Sequence, residues 1–346
     1  MNNINIINDS LYNKCKDVRK KVLRRFCAFD GIGADLTNCE SYDEALEAAG
    51  LDYTAKKEKL FLENGTEIEG NFAVMKSDDP TKFLGIVGNQ YTCVANRDAF
   101  SVAEELYKEG YMRYETGGPV LAARDKVDYS QAVLILRGDD FDVAGEPFNQ
   151  FTILRNSFDG STGVNFQVIC QRVWCQNMAT RYLGGKKNQL RINIQHSRTA
   201  EERISRANAL VVKRNQEIAL IQKEAEAFIG TKFTRAQFKQ TIVPTILKEM
   251  KLVENDKERQ RGHERVEKVV SQIISAYDAE DVQNWNGTAY KVILALQDFE
   301  THMTPMKDTS NKSVYLNRVS KGMLLTTAAA QVIASLNSFD MRKFQN

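Results

Sequence analysis

Histidine and proline are scarce in this chain, with three and five among 346 residues. The three histidines are His196, His263 and His302, and none stands in H-x-H or H-E-x-x-H spacing. That excludes the compact zinc signatures, which need clustered imidazoles or thiolates. The six cysteines form no C-x-x-C pair. Cys170 and Cys175 lie five apart, and a zinc site built on them would want two further ligands with no evident source. No metal is therefore expected. G-x-x-x-x-G-K-[ST] is absent, so ATP hydrolysis on a P-loop is unsupported; Gly184-Gly185-Lys186-Lys187 lacks that spacing but offers backbone N–H groups and two cations to a phosphate. Long apolar runs are missing too. The best is Met323 to Leu336, broken by Thr, Gln and Ser and short of the ~18 residues a membrane span needs. The polar opening MNNINIINDS reads as no secretory leader, so a cytoplasmic place with reduced thiols is expected. Nor is there an excess of one charge: 47 Lys and Arg against 45 Asp and Glu give a net +2. A nucleic-acid surface would have to come from local clustering.

The length suits about two domains, or one with a helical appendage. The densest stretch runs from Phe151 to Thr199. Phe151 to Leu154 is a short apolar run ended by Asn156-Ser157 and the Asp159-Gly160-Ser161 turn signal. Val164, Phe166, Val168 and Cys170 then alternate on one face of a strand reaching Val173. Arg172 to Leu183 is expected to turn helical and stop at Gly184-Gly185. Leu190, Ile192 and Ile194 alternate with Arg191, Asn193 and Gln195, the pattern of a half-exposed strand with a basic outer face. Thr199 with Glu202 makes a capping box for a long helix.

Upstream, Lys14 to Arg25 is a basic run, read as a solvated helix face or a phosphate-contacting arm. Ser41 to Ala49 is a short helix capped by Ser41, with Glu44 completing the box. Lys59 to Leu62, Phe72 to Lys76, Leu84 to Val87 and Tyr91 to Ala95 read as a β-meander with turns at Asn64-Gly65, Asp78-Asp79-Pro80 and Gly88-Asn89. Asn96 caps a helix through Lys108. Further strands follow at Tyr111 to Glu115, Val120 to Ala123 and Gln131 to Leu136, the first two split by Gly117-Gly118-Pro119. Downstream, helices are expected over Ala200 to Phe228, from Thr234 to Lys251, and over Asp256 to Tyr277, Thr288 to Met303 and Ser320 to Leu336. The fold class is α+β: a mixed or antiparallel sheet domain over 1–198, then a helical region over 199–346.

Several motifs in register resemble a phage- and plasmid-type family of uncharacterised proteins, catalogued as a domain of unknown function (DUF932-like). They are Gly85-Ile86-Val87-Gly88, Tyr91 with Asn96-x-x-x-Phe100, Glu115-Thr116-Gly117-Gly118, Asn156 to Ser161, Arg172-Val173-x-Cys175-Gln176-Asn177, His196-Ser197-x-Thr199, and Gly287-Thr288-Ala289-Tyr290 with His302. Phe158 departs from the family's usual His, which argues against a required catalytic or metal group there. Gln195 stands where an Arg commonly precedes the His, which removes one basic contact. The order of hairpin, helix and further strands is also similar to the core of some single-strand annealing recombinases, a likeness of topology alone.

The chemistry points to binding rather than catalysis. A magnesium nuclease wants an Asp and a Glu-x-Lys on adjacent strands, and Glu249-Met250-Lys251 falls at the end of an expected helix. Asp139, Asp140 and Asp142 read as a solvated acidic turn. Arg155, Arg172, Arg181, Lys186, Lys187, Arg191, His196 and Arg198 cluster within the central stretch, interleaved with Phe151, Phe158, Phe166, Trp174 and Tyr182. Cations neutralise phosphates and aromatic faces stack bases. The expected function is therefore nucleic-acid binding, with single-stranded DNA the partner: a basic groove holds the backbone, bases stay open for annealing, and several copies line up. No cofactor and no catalytic residue is called for. The alternatives are a hydrolase or nuclease built near Asp159, Cys175, Asn177 and His196, and a protein-binding factor using the helical half.

Overall fold

The computed structural model describes residues 33–121, 127–143, 145–172, 178–179, 182–183, 191–208, 214–252, 259–303 and 323–344. The architecture is α+β, with antiparallel sheets in the first half and helices in the second. Ser41 opens helix α1 (Tyr42–Ala48) by accepting from Glu44 N at 3.2 Å, while the Glu44 carboxylate returns to Glu40 N at 2.9 Å. Strands β2 (Ala55–Phe61), β3 (Glu67–Lys76) and β4 (Phe83–Gly88) form a separate three-stranded meander.

Tyr91 to Ala95 is not the fourth strand of that meander. Its hydrogen bonds go singly to different segments: Thr92 N donates to His196 O at 3.1 Å and the Tyr91 hydroxyl to Ser157 O at 2.6 Å. No ladder forms. Asn96 is not a cap either. It is the first residue of α2 (Asn96–Ala99), and its fully buried amide donates to Leu51 O at 3.1 Å and accepts from Asn156 Nδ2 at 2.9 Å. The helix breaks at Phe100-Ser101 before α3 (Val102–Lys108).

The large sheet holds β1 (Ala34–Asp35), β5 (Met112–Leu121), β6 (Val127–Gly138), β8 (Glu146–Ser157), β9 (Val164–Arg172) and β10 (Met178–Ala179) in that order, with β7 (Phe141–Val143) paired to β8 and β11 (Arg191–Ile194) to β9. All pairings are antiparallel. Gly117-Gly118-Pro119 does not divide β5. Gly33 and Gly118 admit the close approach of the two segments, a Cβ at Gly33 lying 2.0 Å from Gly117 O and one at Gly118 3.3 Å from Gly33 Cα, and Pro119 falls where the β5–β6 register shifts. Met178–Ala179, expected in a helix, instead returns along Gln171 and Cys170.

Directly opposed residues share a face of a sheet, and the register assigns the core accordingly. Ala132, Leu134, Leu136, Leu154 and Phe166 lie on one face and belong to the buried cluster of α1, α2 and α3. Val133, Ile135, Phe151, Ile153 and Ile169 lie on the other and belong to the cluster of the helical half. The large sheet is thus covered on both faces, and β9 is buried along nearly its whole length.

The second half comprises α4 (Ala200–Asn208), α5 (Arg214–Ile229), α6 (Arg235–Gln237), α7 (Val243–Glu249), α8 (Arg259–Asp278), α9 (Ala289–Asp298) and α10 (Leu324–Leu336). Thr234 and Gln237 make a reciprocal capping box. A π-helical turn, Phe238–Ile242, joins α6 to α7, and a second, Phe299–Met303, extends α9. Ala200 and Ile204 of α4 pack with the N-terminal helices rather than with the rest of the helical half. No helix among the described residues is long and apolar enough to cross a membrane.

Candidate nucleic-acid interface

The eight basic positions singled out from the sequence part into distinct environments. Arg155 is half-buried on β8, and its guanidinium donates to Gln131 Oε1 at 3.0 Å. Gln131 Nε2 in turn reaches Asp159 Oδ2 at 3.4 Å and Ser161 Oγ at 3.3 Å. The turn after β8 is fixed by the same residues: Asp159 Oδ1 accepts from Ser161 N at 2.8 Å, Ser157 Oγ donates to Thr162 O at 2.6 Å, and Gly160 adopts φ +75°. Arg155 is thereby tied to the Asn156-to-Ser161 turn, which the sequence marks.

The ladders extend this position across the sheet. Arg155 opposes Val133 on β6 and Asn165 on β9, and Asn165 opposes Asn193 on β11. The next row on the same face is Ile135, Ile153, Gln167 and the Arg191 position. Arg191 thus stands two strands from Arg155 and one row over. Asn165 and Gln167 are buried, Asn193 is exposed, and Arg198 is exposed just beyond the end of β11. Sequence reasoning missed Gln131, Asn165, Gln167 and Asn193. Strand alternation sends polar residues to water, and it carried no sign that this face is covered.

Arg172 and His196 occupy different surroundings. Arg172 is 3% exposed and its guanidinium is paired with Glu146, Nη2 lying 2.5 Å from Oε1. Glu146 Oε1 also accepts from Trp285 Nε1 at 2.9 Å, which links β8 to the helical half. The His196 ring is buried and stacked on Tyr91 at 4.8 Å between centroids. Its Nδ1 lies 3.2 Å from Thr92 O, which can only accept, so Nδ1 carries the proton. Burial pushes the His196 pKa down from the ordinary value. Arg181, Lys186 and Lys187 lie outside the described residues, as do Trp174, Cys175 and Asn177.

For Phe151, Phe158 and Tyr182 the expectation of stacking faces is corrected, while the burial of Phe166 follows from its strand alternation. Phe151, Phe158, Phe166 and Tyr182 are buried in the two cores, with Phe158 packed on Tyr53 at 5.6 Å. Rings enclosed on all sides offer no face to a base, so the polar groups of this end of the sheet are guanidinium and amide groups. The acidic turn is also internally engaged: Asp140 pairs with Arg137 at 3.1 Å and Asp142 Oδ1 accepts from Gly145 N at 2.6 Å. No group of three or more His, Cys, Asp or Glu positioned for a metal occurs among the described residues.

A family model described as a domain of unknown function (DUF932) matches residues 83–320, from the first residue of β4 onward and more than half of the chain. No curated protein and no solved structure matches.

Proposed function

The chain belongs to that DUF932 family, and for this member we propose binding of single-stranded DNA along the polar end of the large sheet, in support of ATP-independent strand annealing in a phage or plasmid context. The observation that carries the reading is the cross-strand row from Arg155 through Asn165 to Asn193, with the Arg191 position one row over on the same face and Arg198 exposed beyond it. Guanidinium groups spaced over two or three strands suit successive phosphates. Asn193, the exposed amide between them, suits the sugar and base edges of an unpaired strand. Lys186 and Lys187 precede β11 in the chain. Binding of this kind needs neither nucleotide hydrolysis nor a covalent intermediate, and copies standing side by side would join their grooves.

The test is fluorescence anisotropy with a labelled single-stranded oligonucleotide across a salt series, beside the matching duplex and RNA. The expected result is tight binding to the single strand. It should weaken steeply with salt as bound phosphates release counterions, and weaken further in a Lys186→Glu/Lys187→Glu/Arg191→Glu variant. Absence of binding at low salt would refute the reading.

A further inference from the structure

Gln297, near the end of α9, is 2% exposed. Its Nε2 donates to the Tyr182 hydroxyl at 2.9 Å, and its Oε1 has no hydrogen-bond partner among the described residues. Exchanging the two ends of the amide would let Oε1 accept the hydroxyl proton and leave Nε2 unmatched instead. One polar atom of this side chain is therefore unpaired in either assignment, and it carries its full desolvation penalty. Unlike a buried amide packed against solid core, Gln297 borders open space. It lines a cavity of about 20 Å³, whose walls include Phe148 of β8, Phe228 of α5 and Ile293 of α9. Two further polar side chains reach the same cavity, Tyr182 and Glu224 of α5. Every residue around it is buried. The size decides what can enter: a water needs roughly 10–15 Å³ and at least two polar partners, whereas an organic ligand needs roughly 300 Å³ or more.

We propose that this cavity is a binding site for one water molecule, which bridges the Gln297 amide to the Glu224 carboxylate. Glu224 accepts from Tyr182 N at 2.7 Å through Oε2 and from Leu183 N at 3.2 Å through Oε1. A carboxylate offers about four lone-pair sites, so these two bonds do not exhaust it. The water gives one hydrogen to Gln297 Oε1 and the other to Glu224, which matches the orphaned atom without any movement of the core. Cavities that stay dry are lined by hydrocarbon alone, and this one is not. The bridge joins α5, α9 and the Tyr182-Leu183 segment that Glu224 holds, so the water belongs to the join between the large sheet and the helical half. It stands independently of strand binding, since none of these side chains is in the row that ends at Asn193.

The experiment is magnetic relaxation dispersion of solvent oxygen on the full chain, which counts waters held for longer than the protein takes to tumble. Wild type is expected to hold one such water more than Gln297→Met, a variant of similar length that offers it neither amide atom. Equal counts would overturn the proposal. Gln297→Met also gives up the bond to the Tyr182 hydroxyl and should melt at a lower temperature than wild type. If it does not fold, a high-resolution crystal structure of the wild-type chain decides instead. The expected density is a single oxygen within hydrogen-bond distance of both the Gln297 amide and the Glu224 carboxylate. No density in the cavity would overturn the site, and so would a peak heavier than oxygen at metal–ligand distances, which would make the occupant an ion.

Discussion

Arg172 and Glu146 form a buried ion pair across the β8–β9 ladder, and Trp285 from the helical half donates to the same carboxylate. Removing one partner would strand the other as a buried, unpaired charge, which costs about 3–5 kcal/mol. Arg172→Ala and Glu146→Ala should therefore each lower the unfolding free energy by that order in a denaturant titration. Arg172→Ala protein that remains folded should retain the wild-type salt slope for DNA, because the guanidinium is committed within the fold. A reduced slope at unchanged stability would instead place Arg172 on phosphate.

Arg155 and Arg198 are expected to behave in the opposite way. Each phosphate contact removed should reduce the slope of log affinity against log salt by about one. Arg155→Gln and Arg198→Gln should show that loss additively. Arg198→Gln should leave the melting curve in place, since its side chain is exposed. Arg155→Gln gives up the bond to Gln131 Oε1 and should cost about 1 kcal/mol. Anisotropy across salt, with thermal melts of the same preparations, separates the two effects.

What was readable in the sequence follows from what local patterns encode. The strands at 83–88, 164–172 and 191–194, the Ser41 and Thr234 caps and most of the later helices were legible, because periodicity and capping chemistry act over a few residues. Gly117-Gly118-Pro119 misled because the same composition serves a turn and a close approach, and only Gly33, far away in the chain, decides between them. Asn96 misled for a similar reason: its amide reaches Leu51 and Asn156 rather than the nearby backbone. At the site, Arg155, Arg191 and Arg198 were legible as cations. Their separation from buried Arg172 was not, since it depends on Glu146 lying across the ladder. Asn165 was invisible because alternation assigns it to solvent, whereas both faces of β9 are covered.

His196 should shape the acid limb of stability. Burial holds its pKa in the folded chain below the ordinary 6.5, so the unfolded chain binds more protons between that folded value and about 6.5. The contribution is constant above about pH 6.5, is lost as pH falls through this window, and levels off below the folded pKa. His196→Phe keeps a ring against Tyr91 and removes the titration. Urea unfolding from pH 7.5 to 5.0 should show a shallower decline in the variant than in wild type.

Gly85 tests how the small meander is docked. A Cβ at this position would lie 2.6 Å from Asp159 Cα, so β4 packs directly on the turn after β8. Backbone cannot give way as a flexible side chain does, and Gly85→Ala should cost about 1–3 kcal/mol. Gly88→Ala, in the same strand, would place its Cβ no nearer than 4.0 Å to any neighbour and should be close to neutral. The pair of melts controls for the general effect of replacing glycine in a strand.

Glu300 joins two parts of the helical layer. Its buried carboxylate accepts from Leu325 N at 3.0 Å, Thr326 N at 2.9 Å and Thr326 Oγ1 at 2.9 Å, closing the start of α10 from the π-turn after α9. Glu300→Ala would leave these donors without an acceptor and should cost about 2 kcal/mol or more. Burial raises the Glu300 pKa above 4.5 in the folded chain, outweighing the hydrogen bonds that lower it. The folded state therefore binds more protons between 4.5 and the raised value, and the Glu300 contribution is greatest below that window and falls as pH rises through it. Glu300→Gln keeps an acceptor oxygen but cannot titrate. It should be less destabilised than Glu300→Ala, and it should lack wild type's loss of stability across that window when the two are compared by denaturant unfolding at stepped pH.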